Sequence, residues 1–296
     1  MKHRIHSVLV GAMGLASAAF FAFSGASCSQ PTIQCVVGHG PYFAKYQLVS
    51  GDEACLGLKG EDIGLSTYLA PNADKSLADY NARSIAIQSS KLGLLARDRE
   101  GAGYDIGTDK PYAFGAYTTD PDANNLCYTG GANGSAAIAS ADMNIEAFDT
   151  GEVDDMGNPV ILPAEHHRQE WKNIKVYVTA AVPGTQVVGD MRYENVLAGC
   201  SAEYKFIALF PSVYCGKDVH ADDDNNPATD AANDDDDPSK PDTPIGEEPD
   251  PDACLAEADP SKGRALGSGI NPDFPVRCDP ETLHCILSED PLTGKP

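Results

Sequence analysis

The clearest pattern in the chain is a period-two alternation in its second half. Between Asn173 and Val182, apolar side chains occupy every second position and mostly polar side chains lie between them. This spacing is typical of a β-strand with one buried face. Pro183 and Gly184 follow, and the pair favours a tight turn because proline presets φ at the first turn position and glycine accepts positive φ at the second. The pattern therefore predicts a strand that ends in a reversal of the chain.

Two more alternating runs follow this turn. One passes through Val187, Met191 and Tyr193, and the other extends from Glu203 to Phe210. Three consecutive strands of this kind predict an antiparallel meander. Weaker alternation occurs earlier, at residues 42–48, 63–69, 85–87 and 112–117. Seven or more strands in about 185 residues suit a single antiparallel sandwich or barrel, so we expect a mainly β fold.

Three segments depart from this alternation. Residues 88–98 have a helical pattern, which Gly93 weakens. Residues 124–141 are rich in glycine, alanine and asparagine, and residues 150–165 are acidic and contain two prolines. The last two segments predict long surface loops, which is where binding function often resides.

The first 27 residues have the pattern of an export signal. Lys2 and Arg4 precede an apolar run from Val8 to Phe23, and small residues follow it. The run is about 16 residues long, whereas a helix needs roughly 20 to span a bilayer. A retained anchor helix is the alternative. We expect residues 1–27 to be a signal peptide that is removed from an exported protein.

Residues 25–28, Gly-Ala-Ser-Cys, resemble the lipobox of bacterial lipoproteins, in which the cysteine is acylated and becomes the first residue. Gly25 stands where leucine is usual in that family. Ordinary cleavage after Ala26 is the alternative that these residues leave open. The resemblance implies a membrane anchor of several acyl chains on Cys28, and stable anchoring needs more than one chain or signal.

The cysteine count favours the lipid anchor. The chain has nine cysteines, and thiols of an exported protein tend to pair in its oxidising compartment. If Cys28 carries lipid, an even set of eight disulfide candidates remains, namely Cys35, Cys55, Cys127, Cys200, Cys215, Cys254, Cys278 and Cys285. No C-x-x-C motif occurs, which disfavours zinc-ribbon and thioredoxin-like sites. We expect Cys215 to pair with Cys254, Cys278 with Cys285, and the other four among themselves.

The charge of the chain is strongly negative and unevenly distributed. The net charge is −23, which disfavours long-range attraction to nucleic acid or to anionic headgroups. Residues 218–252 hold fourteen Asp or Glu against one Lys, with six prolines. Such a composition predicts disorder, since it buries too little apolar surface to offset the entropy of ordering. The expected organisation is a signal at 1–27, a β-rich body at 28–216, a disordered acidic linker at 217–253 and a short disulfide-bearing tail at 254–296.

Two clusters carry metal-ligand chemistry, and each has a plainer interpretation. His166 and Glu170 are four residues apart and would share one face of a helix. Pro163 precedes them and a strand follows, so a solvated polar turn is the preferred interpretation. Asp222 and Asp224 offer hard oxygens of the kind that calcium prefers, but the EF-hand pattern fails there. We expect no cofactor and no structural metal, with weak divalent-cation binding as a secondary hypothesis.

The motifs of common enzymes are missing from the sequence. It contains no G-x-S-x-G, H-E-x-x-H or P-loop, and His39, between two glycines, has no partner nearby in sequence. The preferred hypothesis is a non-catalytic binding or structural module of the envelope, with an envelope or extracellular partner. An envelope hydrolase assembled from distant segments is one alternative, and a calcium-tuned adhesion or spacer protein is another.

The layout as a whole resembles lipoproteins of the myxobacterial type. The shared features are the lipobox-like start, the β-rich body, the acidic linker and the short cysteine-containing tail. Such proteins have no established activity to transfer. The resemblance implies anchoring in the cell envelope, at the outer membrane or cell surface rather than the inner membrane, and leaves ligand and oligomeric state open.

Overall fold

A computed structural model describes residues 32–130, 137–219 and 246–288. The strands are β1 Gly40–Gly51, β2 Gly60–Pro71, β3 Ala78–Ser89, β4 Ala113–Tyr117, β5 Leu126–Tyr128, β6 Ala141–Ile145, β7 Phe148–Val153, β8 Pro159–Leu162, β9 Glu165–Val178, β10 Pro183–Asn195, β11 Cys200–Leu209, β12 Gly216–Val219, β13 Gly246–Pro249, β14 Val276–Cys278 and β15 Cys285–Leu287. The helices are α1 Glu53–Leu56 and α2 Ser90–Gly101, with 3₁₀ turns at Pro251–Cys254 and Pro260–Lys262. In the part of the chain that is described, no helix has the length and apolarity to cross a bilayer.

Nine strands form one antiparallel sheet. Its order is β4-β3-β2-β1-β11-β10-β9-β5, and β6 also pairs with β9. The sheet curls until its edges approach, where isolated bridges join Phe114 to Ala139 and Tyr117 to Thr129. No continuous ladder closes it among the described residues. The predicted antiparallel β body is confirmed, in the form of a curled sheet.

The inner face of this sheet holds the main hydrophobic core. Trp171, Tyr42 and Phe206 are among its largest members, and all three are fully buried or nearly so. The ring of Trp171 meets that of Phe206 edge to face, with centroids 5.1 Å apart. Aromatic pairs in this geometry contribute about 1 kcal/mol beyond the area they bury. Because strand side chains alternate between faces, the opposite residues of the same strands remain on the outside.

The meander predicted from the alternating runs is confirmed as β9, β10 and β11. The expected polar turn at His166 and Glu170 is wrong, because β9 begins at Glu165 and includes both. His167 takes an inner position in this part of the strand, and its ring nitrogen lies 2.8 Å from the hydroxyl of Tyr193. A polar residue therefore occupies an inner position of β9, held by a hydrogen bond, and a pattern of apolar residues does not reveal this part of the strand.

The acidic segment at 150–165 forms no long loop, and that expectation is wrong. Most of it belongs to the hairpin of β7 and β8 or to the start of β9. Asp154 organises the hairpin turn, since its carboxylate accepts hydrogen bonds from the backbone N–H groups of Met156 and Asn158. The helix expected at 88–98 is α2, which begins where the hydroxyl of Ser89 accepts a hydrogen bond from Leu92.

The segment before β1 closes one end of the curled sheet, called the Cys35 end below. Cys35 is fully buried and bonded to Cys127 of β5. Arg83 of β3 donates a hydrogen bond of 2.6 Å to the carbonyl of Cys35. The hydroxyl of Tyr42 donates to the carbonyl of Gly184, at the start of β10. These contacts fix the segment before β1 beside the β2–β3 and β9–β10 connections.

The tail packs against the outer face of β11 and β1. Its own core combines Leu209 of β11 with Ile270, Leu287 and the last four cysteines. Lys45 of β1 donates a hydrogen bond of 2.7 Å to Asp279, and Phe43 stacks on the ring of His284. The apolar residues on the outer side of β11 are therefore part of a second, smaller core.

Eight cysteines form four disulfides, Cys35–Cys127, Cys55–Cys200, Cys215–Cys278 and Cys254–Cys285. The expected pairing of Cys215 with Cys254 and of Cys278 with Cys285 is wrong. All four belong to one small core, and the sulfur atoms of Cys215, Cys254 and Cys285 lie within 4.8 Å of one another. The direction of each cysteine side chain therefore decides which cysteines pair. Separation along the chain does not predict the pairing here.

The acidic linker begins and ends at a two-stranded ribbon. β12 pairs with β13 so that Val219 lies opposite Gly246. Residues 220–245, which hold most of the acidic charge predicted to be disordered, lie outside the described residues, as do the signal segment and Cys28.

Candidate binding groove on the outer face of the sheet

A groove crosses the outer face of β2, β3 and β4. Its floor is made by the small outward residues Gly64, Ser66 and Ala86. The same alternation places Ile63 and Leu65 in the core on the opposite face. The groove has a volume of about 650 Å³, which falls within the range of small-molecule binding sites.

Aromatic side chains form the walls of the groove. Tyr68, Tyr112 and Phe114 all line it, and Tyr68 and Phe114 remain 52% and 42% exposed. Their ring centroids are 6.1 Å apart. Lys110 and Gln88 add polar groups to the lining. A cluster of exposed rings around a concave floor is typical of an interaction site.

One end of the groove continues into a polar recess of about 380 Å³. Asp109, Asp142 and His166 line this recess, and Lys110 lies in both cavities. Asp142 is held in place, since one of its oxygens lies 3.0 Å from Nε2 of His166 and the other accepts a bond of 2.9 Å from Arg168. Burial raises the pKa of Asp109 above its usual value, although a hydrogen bond from the backbone of Asn144 opposes part of the shift.

A chain of hydrogen bonds behind the recess holds the start of β9 against α2. Glu165 accepts a bond of 2.7 Å from Arg99, and its other oxygen lies 2.9 Å from Nε2 of His167. His167 reaches Tyr193 with its second ring nitrogen. Burial raises the pKa of Glu165, but the bonds with His167 and Arg99 outweigh burial and hold the pKa below its usual value. The carboxylate is thus the charged partner of a buried guanidinium.

Replacing Glu165 with glutamine should destabilise the protein by about 2 kcal/mol at pH 7, because Arg99 then keeps its charge in a buried position without an ionised partner. A carboxyl group with a lowered folded-state pKa stabilises above its usual pKa, and this stabilisation is lost as the pH falls through the folded-state value. The difference between wild type and Glu165→Gln, measured by urea unfolding, should therefore shrink below about pH 4.5. Glu152→Gln, at an exposed position of β7, should show no such difference at either pH. A constant gap across this pH range would contradict the ionic role of Glu165.

The structure separates the residues of the predicted metal cluster. His166 lines the polar recess and pairs with Asp142, whereas Glu170 lies opposite Arg192 of β10. His39 is exposed just before β1, and Glu165 binds Arg99 and His167. Within the described ranges, the only three potential metal ligands that could reach one ion are cysteines already bonded in disulfides. Asp222 and Asp224, the candidate calcium ligands, lie outside these ranges.

The groove residues do not stand out as a binding site in the sequence. Their signal is present but weak. In β2 the outward positions carry Gly64, Ser66 and Tyr68, which is an unusual combination for a solvent-facing side, since it offers small groups next to a ring. The other wall comes from residues 108–114 and 139–142, which only the curl of the sheet brings alongside.

Comparison with known proteins places this body in a sequence family. A profile of the MlpA family matches residues 40–211. A protein of Myxococcus xanthus named "Putative lipoprotein MlpA" is 25% identical over 279 residues, which cover 92% of this chain and 86% of the relative. No solved structure matches the chain. The profile begins at the start of β1 and ends just beyond β11, so it includes the curled sheet and the groove and leaves out the tail.

Proposed function

The chain belongs to the MlpA family, and from this we propose that it is a lipid-anchored protein of the cell envelope that binds a glycan in its outer groove. The name of the Myxococcus relative supports the lipoprotein part of this proposal. The lipobox-like residues 25–28 support Cys28 as the acylated position. An oxidising compartment agrees with the four disulfides of the described chain.

The observation that carries the glycan proposal is the mixture of groups along the groove. Sugar rings have apolar C–H faces that stack on aromatic side chains, and hydroxyl groups that need hydrogen-bond partners. Tyr68, Tyr112 and Phe114 supply the rings. Gln88 and Lys110, in the lining of the same groove, supply donors. An open groove with a floor of small side chains leaves room for a chain of sugars to lie along it.

The edge of the sheet beside the groove argues against an extended peptide as the ligand. Peptides that add a strand need free backbone groups at a sheet edge. On β4 these groups are already used, because Phe114 exchanges two backbone hydrogen bonds with Ala139, of 3.0 and 2.9 Å. The carbonyl of Ala116 accepts a further bond of 2.9 Å from Gly130.

A specific observation also favours hydrolysis of the glycan as a second candidate function. Asp109 and Asp142 line the same recess, and burial raises the pKa of Asp109. Glycoside hydrolases use two carboxyl groups, one of which must be protonated at the start. Both oxygens of Asp142 are engaged by His166 and Arg168, however. This engagement favours a binding role over a catalytic one.

Binding of a tetrasaccharide of β-1,4-linked N-acetylglucosamine, measured by calorimetry, tests the proposal. Phe114→Ala should weaken binding about tenfold, because one stacked ring contributes about 1.4 kcal/mol. Gly64→Leu should abolish binding by filling the floor of the groove. The fold tolerates this change, since the nearest atom to a new Cβ at position 64 lies 3.9 Å away.

The matched control is Leu197→Ala. Leu197 is exposed in the β10–β11 turn and lines neither the groove nor the recess, so this variant should bind like wild type. Unchanged affinity in Gly64→Leu would contradict the groove as the site. Binding of an unstructured peptide with the same sensitivity to Gly64→Leu would replace the glycan by a peptide. Shortened products that disappear in Asp109→Asn would establish the hydrolase instead.

A further inference from the structure

The turn that joins β2 and β3 exposes apolar side chains at the Cys35 end of the body. This hairpin tip, residues 69–83, carries Leu77 and Tyr80, which are 71% and 59% exposed. We infer that the hairpin tip docks on the interface of the lipid bilayer that holds the acyl anchor. The inference rests on the lipid anchor of the proposed function, and it adds a second membrane contact and an orientation.

The length of chain between the anchor and the body supports this docking. Cys28 and Gln34 are separated by 34 − 28 = 6 residue steps, which span at most about 21 Å even when fully extended. Arg83 of the hairpin tip binds the side chain of Gln34 and the carbonyl of Cys35. An acylated Cys28 would therefore keep Gln34, and with it Arg83 at the base of the hairpin tip, within about 21 Å of the bilayer surface, a distance at which the hairpin tip can reach the bilayer.

The charge of the hairpin tip also fits a membrane surface. Its two acidic residues, Asp74 and Asp79, are balanced by Lys75 and Arg83, so that its net charge is zero. The chain as a whole carries −23. Anionic lipid headgroups repel most of so acidic a surface, but they do not repel a neutral patch.

The turn at the end of the hairpin tip makes its own hydrogen bonds, which lowers the cost of moving it from water toward the headgroup region. The N–H of Asn72 donates a bond of 2.9 Å to the carbonyl of Leu77, and the N–H of Lys75 donates to the carbonyl of Asn72. The side-chain oxygen of Asn72 accepts a bond from the N–H of Ser76. Tyrosine rings such as that of Tyr80 favour the headgroup region because one end is apolar and the other polar.

Tryptophan fluorescence of the mature acylated protein in vesicles tests the inference. The vesicles contain phosphatidylethanolamine and phosphatidylglycerol, with or without brominated acyl chains. The sole tryptophan, Trp171, is fully buried and gives a constant background. The added emission of Leu77→Trp should shift to shorter wavelengths and be quenched by the brominated lipid. Leu197→Trp is the matched control, because it replaces another exposed leucine in the turn at the opposite end of β10.

Each outcome decides the inference. Solvent-like emission from Leu77→Trp, in protein whose intact mass shows acylated Cys28, would overturn membrane docking and leave the anchor intact. A shift without quenching that depends on protein concentration would assign the hairpin tip to a second copy of the chain. An unmodified mass at Cys28 would overturn both the anchor and the docking. The glycan part of the proposed function is judged separately, since it depends on Phe114 and Gly64.

Discussion

Alanine at position 184 should destabilise the protein by about 4 kcal/mol. Gly184 has φ +73°, where an alanine costs about 1–2 kcal/mol. Its new Cβ would also lie 2.8 Å from the carbonyl carbon of Val36 and overlap the carbonyl oxygen. To relieve that overlap, either the start of β10 or the segment that contains Val36 has to move. Overpacking of this kind costs about 1–3 kcal/mol. A shift of residue 184 would also disturb the hydrogen bond from the hydroxyl of Tyr42 to the carbonyl of this residue.

Urea unfolding of Gly184→Ala beside Gly199→Ala separates the two costs. Gly199 has φ +66°, and no atom lies within 4 Å of a Cβ added there. Gly199→Ala should therefore lose only the conformational part, about 1–2 kcal/mol. Equal losses in the two variants would mean that the contact with the segment before β1 contributes nothing to stability.

Replacing both Cys215 and Cys278 with serine should let the tail separate from the body after one cut in the acidic linker. A recognition sequence for a specific protease, inserted after Thr229, provides the cut. Cys215 lies before that position and Cys278 after it, and their disulfide is the one that joins the two fragments. The cut protein should run as one band on a non-reducing denaturing gel when wild type and as two bands in the double variant.

The second disulfide of the tail provides the control. Cys254 and Cys285 both lie in the fragment after the cut, so serine at both positions should leave a single non-reduced band. Release of the tail from this variant would favour the pairing of Cys215 with Cys254 over the one described. The readout is covalent, and a loss of stability in either variant does not disturb it.

The strands of the body are largely predictable from the sequence, since burial on one face imposes a period of two. Tyr42, Ala44 and Tyr46 are all in the core, and the meander around Pro183 follows the hydrophobic pattern closely. The start of β9 was not predictable in this way. His167 is buried there and forms hydrogen bonds with Tyr193 and Glu165. A pattern of alternating apolar residues cannot indicate such bonds.

The groove and the cysteine partners depend on curvature and direction, which a one-dimensional pattern does not contain. Phe114 and Ala139 meet only because the sheet curls. In the tail, four cysteines enter one small core, so that several pairings are close in space and only the direction of each side chain selects among them. The cysteine count indicated a disulfide-bonded protein correctly, whereas the residues of the groove are brought together only by the three-dimensional fold.

The ribbon of β12 and β13 has a consequence for how this chain can vary in length. Val219 and Gly246 lie opposite each other, so the 246 − 219 − 1 = 26 residues between them leave and re-enter the body at one place. Insertions or deletions in that stretch change neither the register of the ribbon nor the disulfides around it. Doubling the length of a loop closed at its base costs only about 0.6 kcal/mol. Close homologues should therefore differ in length chiefly here, and an affinity tag or a fluorescent label can be inserted at this point with the groove and the hairpin tip left unaltered.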